Sequence, residues 1–329
     1  MSIALDTELN TELNGNRSTR DYQASDAAHH IHAFVDQKAL NEEGPRVMVR
    51  GDRLFLWDND GKRYLDGMSG LWCTNLGYGR KDLAAAASAQ LEQLPYYNMF
   101  FHTTHPAVIE LSELLFSLLP SHYSHAIYTN SGSEANEVLI RTVRKFWQVM
   151  GKPEKKVMIG RWNGYHGSTL AATALGGMKF MHEMGGTIPD VAHIDEPYWF
   201  AHEGDLSPEE FGLRAARQLE DKILELGADK VAAFVAEPFQ GAGGMIIAPQ
   251  TYWPEIQRIC RKYDVLLCAD EVIGGFGRTG EWFAHQALGF EPDTLSIAKG
   301  LTSGYIPMGG LILSRRMAEA LVEKGGVFA

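Results

Sequence analysis

Three ionisable side chains stand at the ends of apolar segments that the sequence predicts as β-strands. Glu237 ends "VAAFVAE", Asp270 ends "VLLCAD" and Lys299 ends "TLSIAK". In an open α/β sheet the carboxyl ends of the strands form the ligand-binding edge, so we expect two carboxylates and one amine there. A buried salt bridge would explain any one of them alone. Three at matching strand ends favour a functional site, because buried ionisable groups are costly and cluster where function needs them.

A lysine in such a position has a characteristic chemistry. Partial desolvation and nearby charge lower the pKa of its amine, which can then attack a carbonyl group and form a Schiff base. The commonest biological electrophile held in this way is pyridoxal phosphate. That cofactor needs a phosphate cradle, an acid facing its pyridine nitrogen and a group packed flat against its ring.

A candidate phosphate cradle lies in "IYTNSGSEANEVLIRTVRKFW", which predicts a strand, a Ser-Gly-Ser turn and a helix. The N-terminus of such a helix exposes unpaired N–H groups and the positive end of its dipole. Ser131 and Ser133 would add hydroxyls, and Gly132 would let the backbone approach a ligand closely. An ordinary helix cap explains the local sequence at least as well, since Ser133 with Asn136 and Glu137 downstream could start any helix.

The other two requirements also have candidates. Asp270 suits the pyridine nitrogen, because a carboxylate there keeps the nitrogen protonated and the ring a better electron sink. The segment "GRWNGYHGST" places Tyr165 and His166 in a glycine-flanked loop at the same edge. Tyr165 could stack on the ring, although a lone aromatic residue is more often part of a core.

Two other classes of function stay open on these residues. The stretch "GFGRTG", from Gly275 to Gly280, matches the dinucleotide pattern G-x-G-x-x-G and follows a predicted strand, so a nicotinamide-dependent oxidoreductase is an alternative. The pattern is weak here, because "EVIG" separates it from Asp270. A non-catalytic protein of the same fold, which binds a ligand without turnover, is the other alternative.

The elements that would position these residues alternate along the chain. The predicted strands are "HAIYT", "KVMIGR", "KVAAFVAE", "VLLCAD", "TLSIAK" and "GGLILS", and predicted helices at about 133–150, 208–226 and 250–262 separate several of them. Earlier, "RLFLWDNDGKRYLDG" predicts two short strands around a turn at Asn59–Gly61, and two amphipathic helices close on Pro95 and Pro120. Continuously apolar strands indicate a sheet covered on both faces. We predict an α/β fold with a doubly wound, mostly parallel sheet.

Composition limits the class of partner. The chain has 329 residues with 30 basic and 41 acidic side chains, a formal net charge of −11. That balance argues against nucleic acid or an anionic membrane as the main partner. No apolar run approaches the roughly 20 residues of a membrane helix. The three cysteines show no paired spacing, so we expect reduced thiols in a cytoplasmic protein, and we predict no metal site.

The assembled motifs resemble those of a known family. "TNSGSEAN", "GRWNGYHGST", "AEPFQGAGG", "ADEVIGGFGRTGEWF" and "AKGLTSGYIPMGG" occur in the order and spacing of class III aminotransferases, which have the fold-type I architecture of pyridoxal-phosphate enzymes. Within that class the chain is similar to the ω-amino acid and amine:pyruvate transaminases. The resemblance runs from about His29 to the last residue.

The resemblance implies a role for each cofactor residue. Lys299 would be the Schiff-base lysine and proton shuttle, and Asp270 the partner of the pyridine nitrogen. The further cofactor-binding residues would be Gly132 and Ser133 at the phosphate, Tyr165 and Val272 on the two ring faces, His166 at the same edge, and Glu237 near Asp270. Gly300 would leave room for the cofactor.

The resemblance also implies the reaction and the assembly. An amino group would pass from an ω-amino acid or primary amine, of the β-alanine, taurine or putrescine type, to pyruvate with ping-pong kinetics. Trp72, Phe100 and Phe101 match positions that shape the substrate pocket. The phenylalanines would enter it from the second subunit of a homodimer, or of a dimer of dimers.

Domain boundaries follow from the same comparison. We expect a mobile N-terminal arm over residues 1–25, the N-terminal segment of a small domain over 26–70 and the cofactor-binding large domain over 71–329. Relatives continue through a loop with a phosphate-binding threonine and a C-terminal small domain with a carboxylate-binding arginine. We therefore expect that small domain to be absent, which leaves a catalytically impaired fragment of a transaminase as a further alternative.

Overall fold

The computed structural model describes residues 17–201 and 206–327. The chain divides into two units by contacts: Met1–Leu71 with Leu76–Ala86, and Trp72–Asn75 with Ala87–Ala329. The helix Lys81–Gln93 runs across one sequence boundary between these units, and the turn Ser69–Trp72, whose φ values are all positive, runs across another. Within the described ranges no helix combines the length and apolar character needed to cross a membrane.

The first unit is built from two helices and a small antiparallel sheet. Its helices are Thr19–His29 and Gln37–Glu43, and its strands are β1 (Met48–Asp52), β2 (Phe55–Asp58) and β3 (Arg63–Leu65), in the order β1-β2-β3. The predicted turn joins β2 to β3, and Gly61 there has a φ of 81°, a left-handed conformation that suits glycine. The two predicted strands are therefore confirmed, and β1 is an additional strand.

The helix Thr19–His29 overlaps the predicted mobile arm. Residues 1–16 of that arm lie outside the described residues. The Ser18 hydroxyl accepts a hydrogen bond from the Asp21 backbone N–H, and the Asp21 carboxylate accepts one from the Ser18 N–H at 3.1 Å. This capping box satisfies two backbone donors and starts the helix at Thr19. The predicted boundary at residue 25 therefore falls inside a helix.

The second unit contains a seven-stranded sheet. Its strands are β4 (Tyr123–Thr129), β5 (Val157–Arg161), β6 (Val191–Ile194), β7 (Val231–Ala236), β8 (Leu266–Asp270), β9 (Thr294–Ile297) and β10 (Gly309–Ser314). Their order is β4-β10-β9-β8-β7-β5-β6, with β10 antiparallel to both neighbours and the other pairs parallel. The predicted α/β fold with a mostly parallel sheet is confirmed. The short strand β6 was not predicted.

Helices cover both faces of this sheet. They are Pro106–Leu118, Gly132–Val149, Leu170–Leu175, Lys179–His182, Pro208–Leu226, Tyr252–Lys262, Ala284–Leu288 and Arg315–Lys324, with short 3₁₀ turns at Trp199–Ala201 and Lys299–Leu301. One apolar layer joins the sheet to Pro208–Leu226 and Tyr252–Lys262, and a second joins it to Gly132–Val149 and Arg315–Lys324. The sheet is thus wound on both sides, as the continuously apolar strands indicate.

The helix Pro208–Leu226 shows why the sequence specifies these elements. Ser207 caps it with a capping box to Glu210, and a proline occupies its first turn. Apolar residues then recur every three or four positions on the buried face, at Phe211, Ala215, Leu219 and Ile223. The same start and period signals predicted the helices at 133–150 and 250–262, which the structure places at Gly132–Val149 and Tyr252–Lys262.

Candidate active site

The three predicted edge residues, Glu237, Asp270 and Lys299, lie at or just after the ends of neighbouring parallel strands. Their distances from the last strand residue differ. Asp270 is the last residue of β8, and Glu237 directly follows β7. Strand β9 ends at Ile297, so the expectation that it finishes on Lys299 was wrong. Lys299 begins a 3₁₀ turn and has a φ of 47°. A left-handed lysine cannot continue an extended strand, and residues in such strained conformations cluster at functional sites.

One cavity brings the three residues together. It has a volume of about 150 Å³ and is lined by Gly132, Ser133, Tyr165, His166, Gly167, Glu237, Asp270, Val272, Ile273, Ala298 and Lys299. A cavity of about this size can hold a six-membered aromatic ring. All eight residues predicted to bind the cofactor are in its wall. Gly167, Ile273 and Ala298 line it as well and were not predicted.

The Asp270 carboxylate is held by a buried hydrogen-bond network. Its Oδ2 atom accepts from Asn136 Nδ2 at 2.8 Å and from His166 Nδ1 at 2.7 Å, and its Oδ1 accepts from the Val272 N–H at 3.1 Å. Asn136 also donates to the His166 carbonyl and accepts from the Ser296 hydroxyl at 2.7 Å. A network in which each member is partnered fixes the carboxylate in one position.

Asn136 contacts Asp270 directly and is not among the site residues predicted from the sequence. It was considered only as a helix-start signal, yet it is fully buried in the helix Gly132–Val149. Its position offered a signal, because it falls on the apolar stripe of that helix with Leu139, Ile140 and Val143. A polar amide among apolar residues at helical spacing must find buried partners, since an unpaired one is costly.

Glu237 holds the loop that carries Tyr165. Its Oε1 accepts from the Tyr165 N–H and its Oε2 from the Gly241 N–H, both at 3.0 Å. Its carbonyl oxygen accepts a hydrogen bond from the Arg161 guanidinium. Burial raises the pKa of the Glu237 carboxyl, and the nearby His166 partly offsets that shift. Because both carboxylate oxygens accept backbone N–H groups, Glu237 fixes where Tyr165 lies in the wall of the cavity.

The side chain of Lys299 is half-buried in the wall of the cavity. Burial lowers the pKa of Lys299, while the carboxylates of Asp270 and Glu237 act in the opposite direction. Desolvation destabilises the charged ammonium and so favours the neutral amine. The neutral amine is the protonation state that can attack a carbonyl carbon, and Lys299 lines the cavity in which such a carbonyl group could bind.

The N-terminal turn of the helix Gly132–Val149 forms another part of the wall. Ser131 is the helix cap, and its hydroxyl accepts from the Glu134 N–H. The reading of Ser133 as an ordinary cap was therefore wrong, and the Ser131 hydroxyl is already engaged by the helix. The Ser133 hydroxyl oxygen accepts from the Ser168 N–H at 3.1 Å and keeps its own hydrogen available for donation.

Two glycines permit the close packing around this turn. A Cβ atom on Gly132 would lie 3.0 Å from a methyl group of Val272. A Cβ on Gly167, whose φ is 132°, would lie 2.4 Å from the Ser133 hydroxyl. Glycine at these two positions therefore lets the backbone pack against Val272 and Ser133 more closely than a larger residue would allow.

Gly300 does not serve the cavity as expected. A Cβ atom there would lie 2.7 Å from the Asn75 side chain and 2.9 Å from Phe276 Cβ. The space beside Gly300 is therefore filled by protein. Its small size lets the turn after Lys299 pack against Asn75, whose amide donates to the Phe276 carbonyl at 3.0 Å.

The residues predicted to shape the substrate pocket lie outside the cavity wall as the described residues define it. Trp72 packs against a small cluster of Phe239, Ile273 and Ala284. Phe100 is 71% exposed and Phe101 is 89% exposed. The single chain therefore does not bring these three aromatic residues together around Lys299.

The stretch Gly275–Gly280 has the wrong surroundings for a dinucleotide site. It forms consecutive turns, with positive φ values at Phe276, Gly277 and Gly280. The next helix along the chain is the five-residue Ala284–Leu288. A dinucleotide fingerprint needs a strand that feeds through the glycines into a helix N-terminus, and the described part of the chain forms no such helix here.

The fold and the cavity together define a class of protein. A mostly parallel α/β sheet delivers a desolvated lysine, a buried aspartate and the first turn of a long helix to one ring-sized cavity. These are the groups that pyridoxal phosphate needs for its aldehyde, its ring nitrogen and its phosphate, so the residues present fit that cofactor. The protein is a pyridoxal-phosphate enzyme of fold type I.

Comparison with known proteins gives the family. The model of the class III aminotransferases matches residues 38–329. A putrescine–pyruvate aminotransferase of Pseudomonas aeruginosa is 53% identical over 321 residues, 97% of this chain and 70% of that protein. A diaminobutyrate–2-oxoglutarate transaminase of Halomonas elongata is 41% identical over 91% of this chain and 65% of that protein. The chain belongs to the class III aminotransferases.

Solved structures agree with that assignment. A thermostable (S)-enantioselective ω-transaminase from Thermomicrobium roseum superposes with a TM-score of 0.92 at 42% identity, covering 95% of this chain and 70% of that one. The ω-transaminase of Pseudomonas jessenii in complex with PMP superposes with a TM-score of 0.89 at 38% identity, covering 92% of this chain and 67% of that one.

Proposed function

We propose that the protein is a transaminase that moves an amino group from an ω-amino acid or a primary amine to pyruvate by a ping-pong cycle. The observation that carries the proposal is the single cavity shared by Lys299, Asp270 and the N-terminal turn of the helix Gly132–Val149. Similarity to a putrescine–pyruvate aminotransferase at 53% identity supports a diamine such as putrescine as donor and pyruvate as acceptor.

Lys299 is the proposed attachment point of the cofactor and the residue that moves the proton. When bound, pyridoxal phosphate supplies the electron sink that makes a substrate C–H bond acidic. The lowered pKa of Lys299 favours an amine that can take a proton and return it. Its fixed position after β9 keeps that amine within the cavity.

Asp270 is the proposed partner of the cofactor's ring nitrogen. Its Oδ2 already accepts from Asn136 and His166, whereas Oδ1 accepts one long hydrogen bond from the backbone. Each carboxylate oxygen can accept two hydrogen bonds, so Oδ1 has capacity for a ring N–H. Asn136 and His166 are proposed as positioning residues that hold the carboxylate in place.

The remaining residues of the wall are proposed to orient the cofactor. Gly132 and Ser133 would hold its phosphate with the backbone N–H groups and the hydroxyl of the first helical turn. Tyr165 and Val272 would pack on its two faces. Glu237 acts through its hydrogen bond to the Tyr165 backbone.

Assembly and location are parts of the same proposal. We propose a homodimer in which Phe100 and Phe101 of each chain enter the substrate pocket of the other, with Trp72 beside them. The exposure of both phenylalanines supports this, because large exposed apolar groups mark interaction surfaces. We propose a cytoplasmic location. The three cysteines, all in the described part of the chain, form no disulfide with one another, which suits a reducing compartment.

Reduction with borohydride tests the attachment residue. The holoprotein would be treated with borohydride, digested and mapped for a phosphopyridoxyl label. We expect the label on Lys299 and none in Lys299→Ala. Label on another lysine would remove Lys299 from its proposed role.

A matched panel of donors and acceptors tests the reaction. Putrescine, β-alanine, 4-aminobutyrate and 1-phenylethylamine would each be assayed with pyruvate and with 2-oxoglutarate, and alanine or glutamate would be measured. We expect alanine formation from putrescine to be fastest. Faster glutamate formation with 2-oxoglutarate would overturn the choice of acceptor, and no amino transfer with any pair would overturn the proposed activity.

A further inference from the structure

Two histidines and an aspartate converge at the end of the first helix, in the unit that carries the small antiparallel sheet. Asp26 Oδ1 lies 3.0 Å from His30 Nδ1, and Asp26 Oδ2 lies 2.7 Å from His32 Nε2. The two imidazole rings are 4.2 Å apart between centroids. One ligand-type atom from each of the three residues lies within 4.8 Å of the other two.

The local backbone places these side chains together. Asp26 and His30 are four residues apart, so they stand one above the other at the end of the helix Thr19–His29. The chain leaves the helix at His30, whose φ of −127° is extended, and His32 then faces back toward Asp26. The His32 backbone N–H donates to the Gln37 side chain at 2.8 Å, which anchors the returning segment.

The three groups carry the chemistry of a transition-metal site. An aspartate carboxyl group is ionised at neutral pH, and each of its two oxygens faces a histidine ring nitrogen here. Neutral imidazole is the commonest protein ligand for metals such as zinc, and a carboxylate oxygen completes many such sites. Magnesium and calcium prefer shells made of oxygen alone, which this cluster does not provide.

We propose that Asp26, His30 and His32 bind one zinc ion or a similar divalent transition metal, with water as the fourth ligand. The ion would bind the ring nitrogens that face the carboxylate, His30 Nδ1 and His32 Nε2, and the single hydrogen of each neutral ring would move to the other nitrogen through solvent. Each ring would then carry its remaining hydrogen on its outer nitrogen, His30 on Nε2 and His32 on Nδ1. This outcome differs from the sequence analysis, which predicted no metal site.

The two distances from the carboxylate require only a small adjustment, and the separation of the two ring nitrogens, which lies within 4.8 Å, would change toward the same spacing. Tetrahedral ligands at zinc distances are separated by about 3.4 Å from one another. The Asp26–His30 and Asp26–His32 separations of 3.0 and 2.7 Å would each lengthen by a fraction of an ångström. The side chains of Asp26 and His32 are 22% and 29% exposed and that of His30 is 62% exposed, so both the ion and a water ligand can enter from solvent.

The proposed role is structural and separate from transamination. Bound metal would join the last turn of the helix Thr19–His29 to the segment that follows it. Because the metal binds the folded arrangement and not the separated residues, it would stabilise this part of the chain. The simpler alternative is a cluster held by hydrogen bonds alone, and the experiment separates the two.

Titration of the holoprotein with zinc tests the site. The protein would carry no histidine tag and would be dialysed against a chelator before calorimetric titration with Zn²⁺. Cobalt substitution would then report ligand geometry from its visible absorption. The variants would be His30→Ala and His32→Ala, with His29→Ala as the matched control, since His29 is exposed on the same helix but outside the cluster. Circular dichroism and cofactor absorbance would verify that each variant is folded.

We expect one equivalent of zinc per chain in the parent protein and in His29→Ala. Affinity should fall by more than about 100-fold in His30→Ala and His32→Ala, because even groups that only orient a metal ligand contribute 10–100-fold. A tetrahedral cobalt spectrum without a thiolate band would support the assignment. Equal affinity in the cluster variants and the parent, a thiolate band, or no saturable binding would overturn it.

Discussion

Two consecutive residues, Asp270 and Glu271, each pair with a buried histidine, but the two carboxylates have different surroundings. Asp270 Oδ2 lies 2.7 Å from His166 Nδ1, and Glu271 Oε1 lies 2.9 Å from His285 Nδ1, with all four side chains buried. Asp270 faces the cavity that holds Lys299. Glu271 faces away, and its oxygens accept the N–H groups of Ala284 and His285 at the start of the helix Ala284–Leu288.

The difference shows that a buried carboxylate–histidine pair is not by itself a sign of catalysis. Glu271 has three donors around its two oxygens, two of them backbone groups, so its charge is used to hold a helix end. Asp270 also has three donors around its two oxygens, only one of them a backbone group, but it lines the cavity, whereas Glu271 does not. A place in the wall of the cavity, more than burial, pairing with histidine or the number of donors, distinguishes Asp270 from Glu271.

The largest expected effect comes from Asp270→Asn. An amide cannot supply the negative charge that keeps a ring nitrogen protonated, so we expect turnover to fall by about 10²–10³-fold, the range seen when one electrostatic contact to a reacting group is removed. The proposed phosphate-binding residues Gly132 and Ser133 are unchanged, so we expect cofactor absorbance to persist. Steady-state turnover per molecule of holoprotein is the measurement. Near-normal turnover would show that Asp270 has another role.

Glu271→Gln should lower stability and leave turnover nearly unchanged, the opposite of what we expect for Asp270→Asn. Glutamine offers only one acceptor oxygen, so at least one N–H of Ala284 or His285 loses its partner, at a cost of about 1–3 kcal/mol in the free energy of unfolding. Turnover per folded molecule should stay close to that of the parent protein. Denaturant unfolding and activity would be measured on the same samples. A large loss of turnover without a loss of stability would contradict the structural role of Glu271.

The sequence predicted the positions of Glu237 and Asp270 well because strand ends follow from local patterns. Apolar runs that end at Glu237 and Asp270 placed both residues correctly after β7 and at the end of β8. The error at Lys299 has a physical cause: the residues of "TLSIAK" before the lysine all suit a buried strand, and nothing local shows that the chain turns left-handed at Lys299. Strand β6 was missed because "VAHI" is short and lies at the sheet edge.

Local sequence patterns could not predict the contacts between residues that are far apart in the sequence. Asn136 reaches Asp270 across 134 positions of sequence, and no spacing rule connects them. Likewise, Gly300 packs on Asn75, a residue more than two hundred positions earlier. The family resemblance supplied roles for the cavity residues, but only the folded chain shows what holds Asp270 in place.

A pH measurement on the cofactor-free protein would test whether the cavity destabilises the Lys299 ammonium. The folded-state pKa of Lys299 lies below its ordinary value, so between the two values the unfolded state binds more protons and stability rises with pH. Below the folded-state pKa the lysine is charged in both states, and the full cost of desolvating its ammonium lowers the free energy of unfolding. Lys299→Met removes that cost, and we expect the variant's advantage in unfolding free energy to shrink as pH rises through that window.

The slope of that change has an upper limit of about 1.4 kcal/mol per pH unit, since one proton is involved. Chemical denaturation at several pH values would measure the difference between the parent protein and Lys299→Met. A difference that is independent of pH up to the ordinary lysine pKa would show that the cavity does not disfavour the charged amine.

The smallest expected effect comes from Ser296→Ala, at the far end of the Asp270 network. The Ser296 hydroxyl donates to Asn136 Oδ1 at 2.7 Å, and without it that oxygen is buried and unpartnered. Loss of one such hydrogen bond costs about 1 kcal/mol in unfolding free energy. Asn136 keeps both bonds from its Nδ2, to Asp270 and to the His166 carbonyl, so turnover should fall by less than about tenfold.

Thr142→Val provides the matched control for that change. Thr142 is buried in the same helix as Asn136, and its hydroxyl has no hydrogen-bond partner, so replacing that hydroxyl with a methyl group should leave stability equal or higher. Turnover and unfolding would be measured for both variants. A Ser296→Ala loss of turnover as large as that of Asp270→Asn would mean that the whole network acts as one unit. The difference between Asp270 and Glu271 would then depend on the residues hydrogen-bonded to each carboxylate as much as on the cavity that Asp270 lines.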